Sequence, residues 1–136
     1  MTHYEIIKIK KDGLVEFPQD ASHEIGIVNG SYFLLEISPE MKEARLEQIA
    51  LPGKNLVEVE LVVKDEPGVL SEISGIFAKH DVNIQFNESE EISSGEAILI
   101  LVLDCSNMDV SLNDLKETIS KRDDVFSFPH PSTKCH

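Results

Sequence analysis

Tryptophan is absent from this 136-residue sequence, and aromatic residues make up only 6% of it. Hydrophobic residues still account for 41%, enough for a real core, so disorder does not describe most of the chain. Cysteine is nearly as scarce. Cys105 and Cys135 lie far apart with no C-x-x-C spacing, which signals neither a disulfide framework nor a zinc site and fits a reducing cytoplasm. Basic residues number 12 against 25 acids, a formal charge of -13. That balance repels phosphate backbones and anionic head groups, so nucleic acid and membrane are the disfavoured partners. Long apolar runs are missing too. Ala97 to Leu103 is the longest, far short of the roughly 20 residues that span a bilayer, and no charged-then-apolar leader opens the chain. The expectation is a soluble, unprocessed, cytoplasmic protein. Neither G-x-x-x-x-G-K-[ST] nor G-x-G-x-x-G occurs, and no nucleophile, base and orienting residue recur at a recognisable spacing. The reading is therefore no enzyme, no catalytic residue and no cofactor.

What is present divides at "LPGKN", Leu51 to Asn55, where Pro-Gly and two polar residues separate segments of different pattern. Before Leu56 stand 6 basic and 9 acidic residues, and after it 6 and 16, or -3 and -10. In the first part, Tyr4 to Lys10 and Leu14 to Phe17 read as two strands of a hairpin, joined through Lys11-Asp12-Gly13, whose Asp-Gly pair supplies the positive φ of a tight turn. Pro18 opens a short helix that ends near Ile25, with Gly26 free to close it. Asn29-Gly30 turns the chain again, and Ser31 to Ile37 and Ala44 to Leu51 read as strands joined through Ser38-Pro39-Glu40. A unit this small buries too little surface to stand alone, so dimerisation is expected through it.

Through "KDGLVEFPQDASHEIGI" and "NGSYFLLEI", residues Ile9 to Leu51 resemble the AbrB/MazE-type swapped-hairpin family: Gly13 in the first turn, Phe17-Pro18 ending the second strand, Gly26-Ile27, and Gly30 before the third. The resemblance implies two chains interlocked in one barrel-like dimer. Many such proteins bind DNA through basic residues of the first hairpin. Where they often carry a basic residue after the turn glycine, this chain has Leu14, with Glu16 two residues on. Lys8, Lys10, Lys11 and Arg45 could form a basic patch or a solvated strand face.

In the second part, Val57, Val59, Leu61 and Val63 alternate with partners that include Glu58 and Glu60, the mark of a strand with one buried face. Val69, Leu70, Ile73, Ile76 and Phe77 recur at steps of three and four, predicting one face of a helix that ends near His80. Val82, Ile84 and Phe86 alternate in a second strand, and Ala97 to Leu103 form a fully buried third. Glu88 to Glu96 reads as a polar loop turning at Ser93-Ser94-Gly95. Ser111 is a plausible N-cap, Leu112, Leu115 and Ile119 give a second helix its stripe, and Val125, Phe126 and Phe128 make a last strand. The order β-α-β-β-α-β predicts an α+β, ferredoxin-like domain with both helices on one face of an antiparallel sheet.

The stretch that carries chemistry is "KDEPGVL". Asp65 and Glu66 offer carboxylates, and Pro67-Gly68 leads to the amides of a helix N-terminus at Val69 and Leu70. Free N–H groups and the helix dipole favour a carboxylate, and Asp65 could accept from an ammonium group, so a zwitterionic amino acid matches the pair. A side chain at position 68 would stand between ligand and amides. The alternative is that the acids only cap the helix. Gly75, mid-helix, hints either at close approach by another chain or element or at a packing accommodation.

With "DEPGVLSEISGIFAKHDVNI" set in this strand order, about Leu56 to Phe128 resembles an ACT domain, a small regulatory module that commonly binds amino acids. The resemblance implies a ligand held between two paired domains, by Asp65, Glu66, Pro67, Gly68, Val69 and Leu70 of one and by Asn83 of its neighbour. In serine-sensing relatives the positions of Asp65 and Val63 are often Asn and His, so serine specificity is not supported. His130, Cys135 and His136 in the tail, and Glu88, Glu90, Glu91 and Glu96, are potential metal ligands. A mobile tail and a solvated acidic loop are the readings adopted, with no metal site.

The expected organisation is a swapped-hairpin dimerisation domain over 1–51, a linker over 52–55, an ACT-like ligand-binding domain over 56–128 and a mobile tail over 129–136. The expected function is non-catalytic sensing of an amino acid or similar small metabolite by a homodimer or higher homo-oligomer. Two alternatives stand beside it: a metabolite-responsive transcription regulator touching DNA through the N-terminal hairpins, and a regulatory subunit of an amino-acid biosynthetic enzyme.

Overall fold

The computed structural model describes residues 1–129. The tail expected to be mobile, with His130, Cys135 and His136, lies outside the described residues except for Pro129. The chain forms two compact units, Met1–Gly53 and Lys54 onward. No helix among the described residues is long and apolar enough to cross a membrane.

In the first unit, a short helix α1 (Gln19–Glu24) follows Pro18, and Gly26 takes φ 78° just beyond it. Strands β1 (Tyr32–Ser38) and β2 (Glu43–Ala50) pair antiparallel from Tyr32↔Ala50 to Ser38↔Glu43, joined by a 3-10 turn at Pro39–Met41. The expected first hairpin is not formed. Its turn exists, with the Leu14 N–H donating to the Lys11 carbonyl at 3.1 Å and Gly13 at φ 78°, but only the single bridge Lys11↔Leu14 pairs the arms. A lone two-stranded hairpin in water is marginal at best, and Ile6, Ile9, Leu14 and Val15 stay exposed. Among the described residues, every fully buried side chain lies at Leu56 or beyond.

The second unit runs β3 (Leu56–Lys64), α2 (Val69–Lys79), β4 (Asn83–Ser93), β5 (Glu96–Asp104), α3 (Leu112–Ser120) and β6 (Val125–Ser127). All neighbouring strands are antiparallel in the order β4-β5-β3-β6, the ferredoxin-like arrangement. Period-two alternation puts Val59, Leu61 and Val63 of β3 and Leu99, Leu101 and Leu103 of β5 on one face, where Ile73 and Phe77 of α2 and Leu115 and Ile119 of α3 seal them from water. The Ser111 hydroxyl accepts from the Asp114 N–H at 3.1 Å, capping α3 as its position predicts.

Two expectations about β4 are corrected. Glu88 to Ser93 is strand rather than loop, paired to β5 from Glu88↔Ile100 to Ser93↔Glu96. The turn is confined to Ser94-Gly95. Charges on both faces carry no period, yet the ladder offered by β5 satisfies this backbone. Between Ile84↔Leu103 and Phe86↔Val102 the register shifts by one residue, a β-bulge. A one-residue slip reverses the facing of everything after it, so Phe86 leaves the core face that Ile84 occupies.

Candidate functional site

The turn from β3 into α2 is built from its backbone outward. The Lys64 N–H donates to the Asp124 carbonyl at 2.9 Å and the Asp65 N–H to the Gly95 carbonyl at 3.0 Å, pinning the end of β3 between β6 and the β4–β5 turn. Pro67 then fixes one φ, and Gly68 stands at φ 89°, a conformation that L side chains rarely adopt. A Cβ at Gly68 would meet nothing within 4 Å. Within this chain the need for glycine is therefore conformational.

Asp65, Glu66, Pro67 and Gly68 are exposed, Val69 is buried in the core and Leu70 is half-buried against it. Capping of α2 by the acids is not what forms: Gly68 is the N-cap and no side chain bonds there. The Val69 N–H reaches the Glu66 carbonyl at 3.4 Å and the Glu72 N–H the Gly68 carbonyl at 2.9 Å. Between them, the amides of Leu70 and Ser71 have no acceptor among the described residues. These are the orphan donors of a helix N-terminus, the groups to which an anion binds.

Arg122 and Asp124, which no motif in the sequence marks, stand beside this turn. Arg122 grips both oxygens of Asp124, Nε to Oδ1 and Nη2 to Oδ2 at 2.9 Å each, and Nη2 also donates to Glu72 in the first turn of α2. Hydrogen bonds from Arg122 hold the Asp124 carboxyl below its usual range against a smaller effect of burial, and the Asp124 bond in turn raises the guanidinium. The pair ties the α3–β6 loop to α2. Its spacing of two residues in a turn follows no helix or strand rule, so only the fold exposes it.

Asn83 is exposed at the start of β4, placed there by Asp81 in the left-handed conformation at φ 59°. It pairs with Asp104, which faces Leu56 at the far end of β3. The turn at 65–70 adjoins the opposite end, where Lys64 faces Glu96. Eight residue steps of β5 separate the two ends, roughly 26 Å at about 3.3 Å per step. One chain does not bring Asn83 to Asp65.

Asp104 is a third residue that sequence reasoning missed. It is 7% exposed, and its Oδ1 accepts from the Ser106 N–H at 3.0 Å and from the Ser106 hydroxyl, while Lys54 Nζ lies 3.8 Å from Oδ2. Burial pushes its carboxyl up, but the Ser106 hydrogen bonds and then Lys54 outweigh that and leave it below the usual range. The same Ser106 oxygen accepts from the Asn55 N–H at 2.9 Å. This polar knot fastens the start of the second unit to the loop after β5.

Among the described residues no three His, Cys, Asp or Glu side chains converge. Glu88 and Glu90 share one face of β4 and Glu91 the other, so the pleat divides these acids. Cys105 is a buried free thiol, pushed up by burial and then by Asp104, a direction that disfavours the thiolate.

Residues 57–120 match the ACT domain family. A UPF0237 protein of Methanopyrus kandleri is 30% identical over 63 residues, spanning 46% of this chain and 69% of that protein. The ACT domain of a GTP pyrophosphokinase of Chlorobium tepidum gives a TM-score of 0.44 and 22% identity as a crystal structure, covering 56% of this chain and 96% of that one. Its solution NMR structure gives 0.44 and 25%, covering 56% and 84%. Residues 57–120 are thus an ACT domain, on a β-α-β-β-α-β unit in the order β4-β5-β3-β6, and through the Methanopyrus relative the chain belongs with the UPF0237 proteins.

Proposed function

We propose that the protein is a non-catalytic regulator that senses an amino acid or similar small metabolite, with Asp65 to Leu70 of one copy and Asn83 of a second forming each site. The observation that carries this reading is the pair of unsatisfied amides at Leu70 and Ser71 in the same exposed turn as the Asp65 carboxylate. The amides and the helix dipole receive a ligand carboxylate, and Asp65 receives its ammonium group. The distance to Asn83 within one chain supports a shared site. A second observation supports the dimer: the first unit holds no fully buried side chain, and Ile6, Ile9 and Leu14 stay exposed. A hollow of about 230 Å³ between Ile6, Ile7, Lys8 and Lys10 is walled by that unpaired segment, so it belongs to the surface a second chain would close rather than to the ligand site. Ligand binding across two copies stiffens or reorients the pair, and a partner reads the change.

Isothermal titration of the dimeric, folded protein with the common amino acids tests this. Heat is expected with at least one, and Asp65→Ala and Asn83→Ala should each weaken it at least tenfold with far-UV circular dichroism unchanged. No heat with any amino acid, or full affinity in both variants, refutes the site.

A further inference from the structure

The helices cover one face of the ACT sheet; on the other, Val62, Phe86, Ile98, Ile100 and Val102 are half-buried, and no helix among the described residues packs on it. That open face is a three-by-three grid set by the register. Phe86, Val102 and Glu58 lie side by side in one row, Glu88, Ile100 and Glu60 in the next, and Glu90, Ile98 and Val62 in the third. None of its five apolar residues belongs to the core or packs against it. The middle column, Ile98, Ile100 and Val102 of β5, is wholly apolar, and two glutamates stand on each side of it. None of the four is in an ion pair among the described residues. The bulge in β4 is what completes the grid, since without it Phe86, Glu88 and Glu90 would face the helices.

We propose that this face docks an amphipathic helix of a partner protein whose apolar stripe is bordered on both sides by Lys or Arg. The geometry matches such an occupant. Glu60 and Glu88 are two strand spacings apart, roughly 10 Å, close to the 10–12 Å diameter of an α-helix. A helix lying along β5 seats its stripe on Ile98, Ile100 and Val102 and its flanking cations against the two acidic columns. Charge complementarity selects the partner. A second copy of the same face is disfavoured because it would press four glutamates onto four, and an anionic membrane is repelled for the same reason. The surface is separate from the turn at 65–70, so its test is independent of amino-acid sensing.

The probe is a synthetic 18-residue peptide with leucines along one helical face and lysines on both borders, followed by fluorescence anisotropy and methyl NMR on the full-length protein. Binding at least tenfold tighter than to a scrambled peptide of identical composition is expected, with shifts at the Ile98, Ile100 and Val102 methyls and weakening as salt rises from 0.05 to 0.5 M. Glu60→Lys with Glu88→Lys should reduce affinity at least tenfold. Glu58→Lys with Glu90→Lys serves should that protein misfold. Equal binding of the scrambled peptide, unaltered affinity in a folded reversed variant, no binding at 1 mM, or shifts at Ile73 and Leu115 instead overturn the proposal. So does protection of the Ile100 methyl by self-association of the peptide-free protein, which would make the occupant a second copy.

Discussion

Two glycines seven residues apart should respond to the same substitution with opposite sign. Gly68 holds φ 89° with open space where a Cβ would go, so Gly68→Ala meets no clash and pays only for the left-handed backbone, about 1–2 kcal/mol. Gly75 lies mid-way along α2, exposed, with ordinary helical backbone and nothing within 4 Å of a built Cβ. There Gly75→Ala removes unfolded-state freedom and should stabilise by about 1 kcal/mol. The two variants are thus separated by about 2–3 kcal/mol. For a unit of this size 1 kcal/mol moves the melting temperature by about 4–8 °C, so the melts should differ by on the order of 10–20 °C. Thermal unfolding followed at 222 nm reports this, since α2 and α3 dominate the helical signal. The double variant should fall near the sum, because the sites share no contact. Shifts in the same direction would refute the reasoning. A loss at Gly75 would show that something outside the chain approaches α2.

Arg122→Met should cost about 1 kcal/mol at pH 7, a discounted figure because the guanidinium is partly exposed. The depressed Asp124 carboxyl contributes stability above its unfolded range, near pH 4, and loses it as pH falls through the folded value. The gap between wild type and variant, measured by urea unfolding, should therefore close between about pH 5 and pH 2, and a constant gap would refute the charge pairing. Asp104→Ala removes the 7% exposed acceptor of the Ser106 bonds and the partner of Lys54, and because Ser106 and Lys54 are themselves open to water the cost should be about 0.5–1.5 kcal/mol. Amide exchange should quicken at Asn55 and Ser106, and unchanged protection there would show that the knot holds without its carboxylate.

Legibility followed periodicity. The alternation from Val57 to Val63 and the stripe from Val69 to Phe77 each have one partner surface, so the sequence pattern and the packing coincide. Glu88 to Ser93 carries no such pattern, and its strand exists because β5 supplies the ladder. The bulge is less legible still. Val82, Ile84 and Phe86 alternate perfectly in sequence, and only the shift in pairing sends Phe86 to the open face. In the first unit the failure runs the other way: Ile6, Ile9, Leu14 and Val15 have strand character, but pairing needs a neighbouring strand, and among the described residues only the Lys11↔Leu14 bridge forms. At the site, "DEPGVL" announced the turn correctly, while Arg122 and Asp124 came from a loop whose proximity only the closing strand creates.

The ends of β5 give the proposed sensing reading a mechanical consequence. At one end, the turn at 65–70 is bonded to the β4–β5 turn through Asp65 and Gly95 and to the start of β6 through Lys64 and Asp124. At the other, Asn83 pairs with Asp104, and Asp104 and Ser106 hold Lys54 and Asn55, the first residues of the unit. A ligand joining the turn of one copy to Asn83 of another would thus load two rigidly braced ends of the sheet, one of them fastened to the segment that leads back to Gly53. A floppy attachment at either end would dissipate the effect of binding locally, whereas bonded strands move as a unit. Asn83, exposed and chemically modest, gains its value on this reading from the buried carboxylate it faces rather than from its own amide alone.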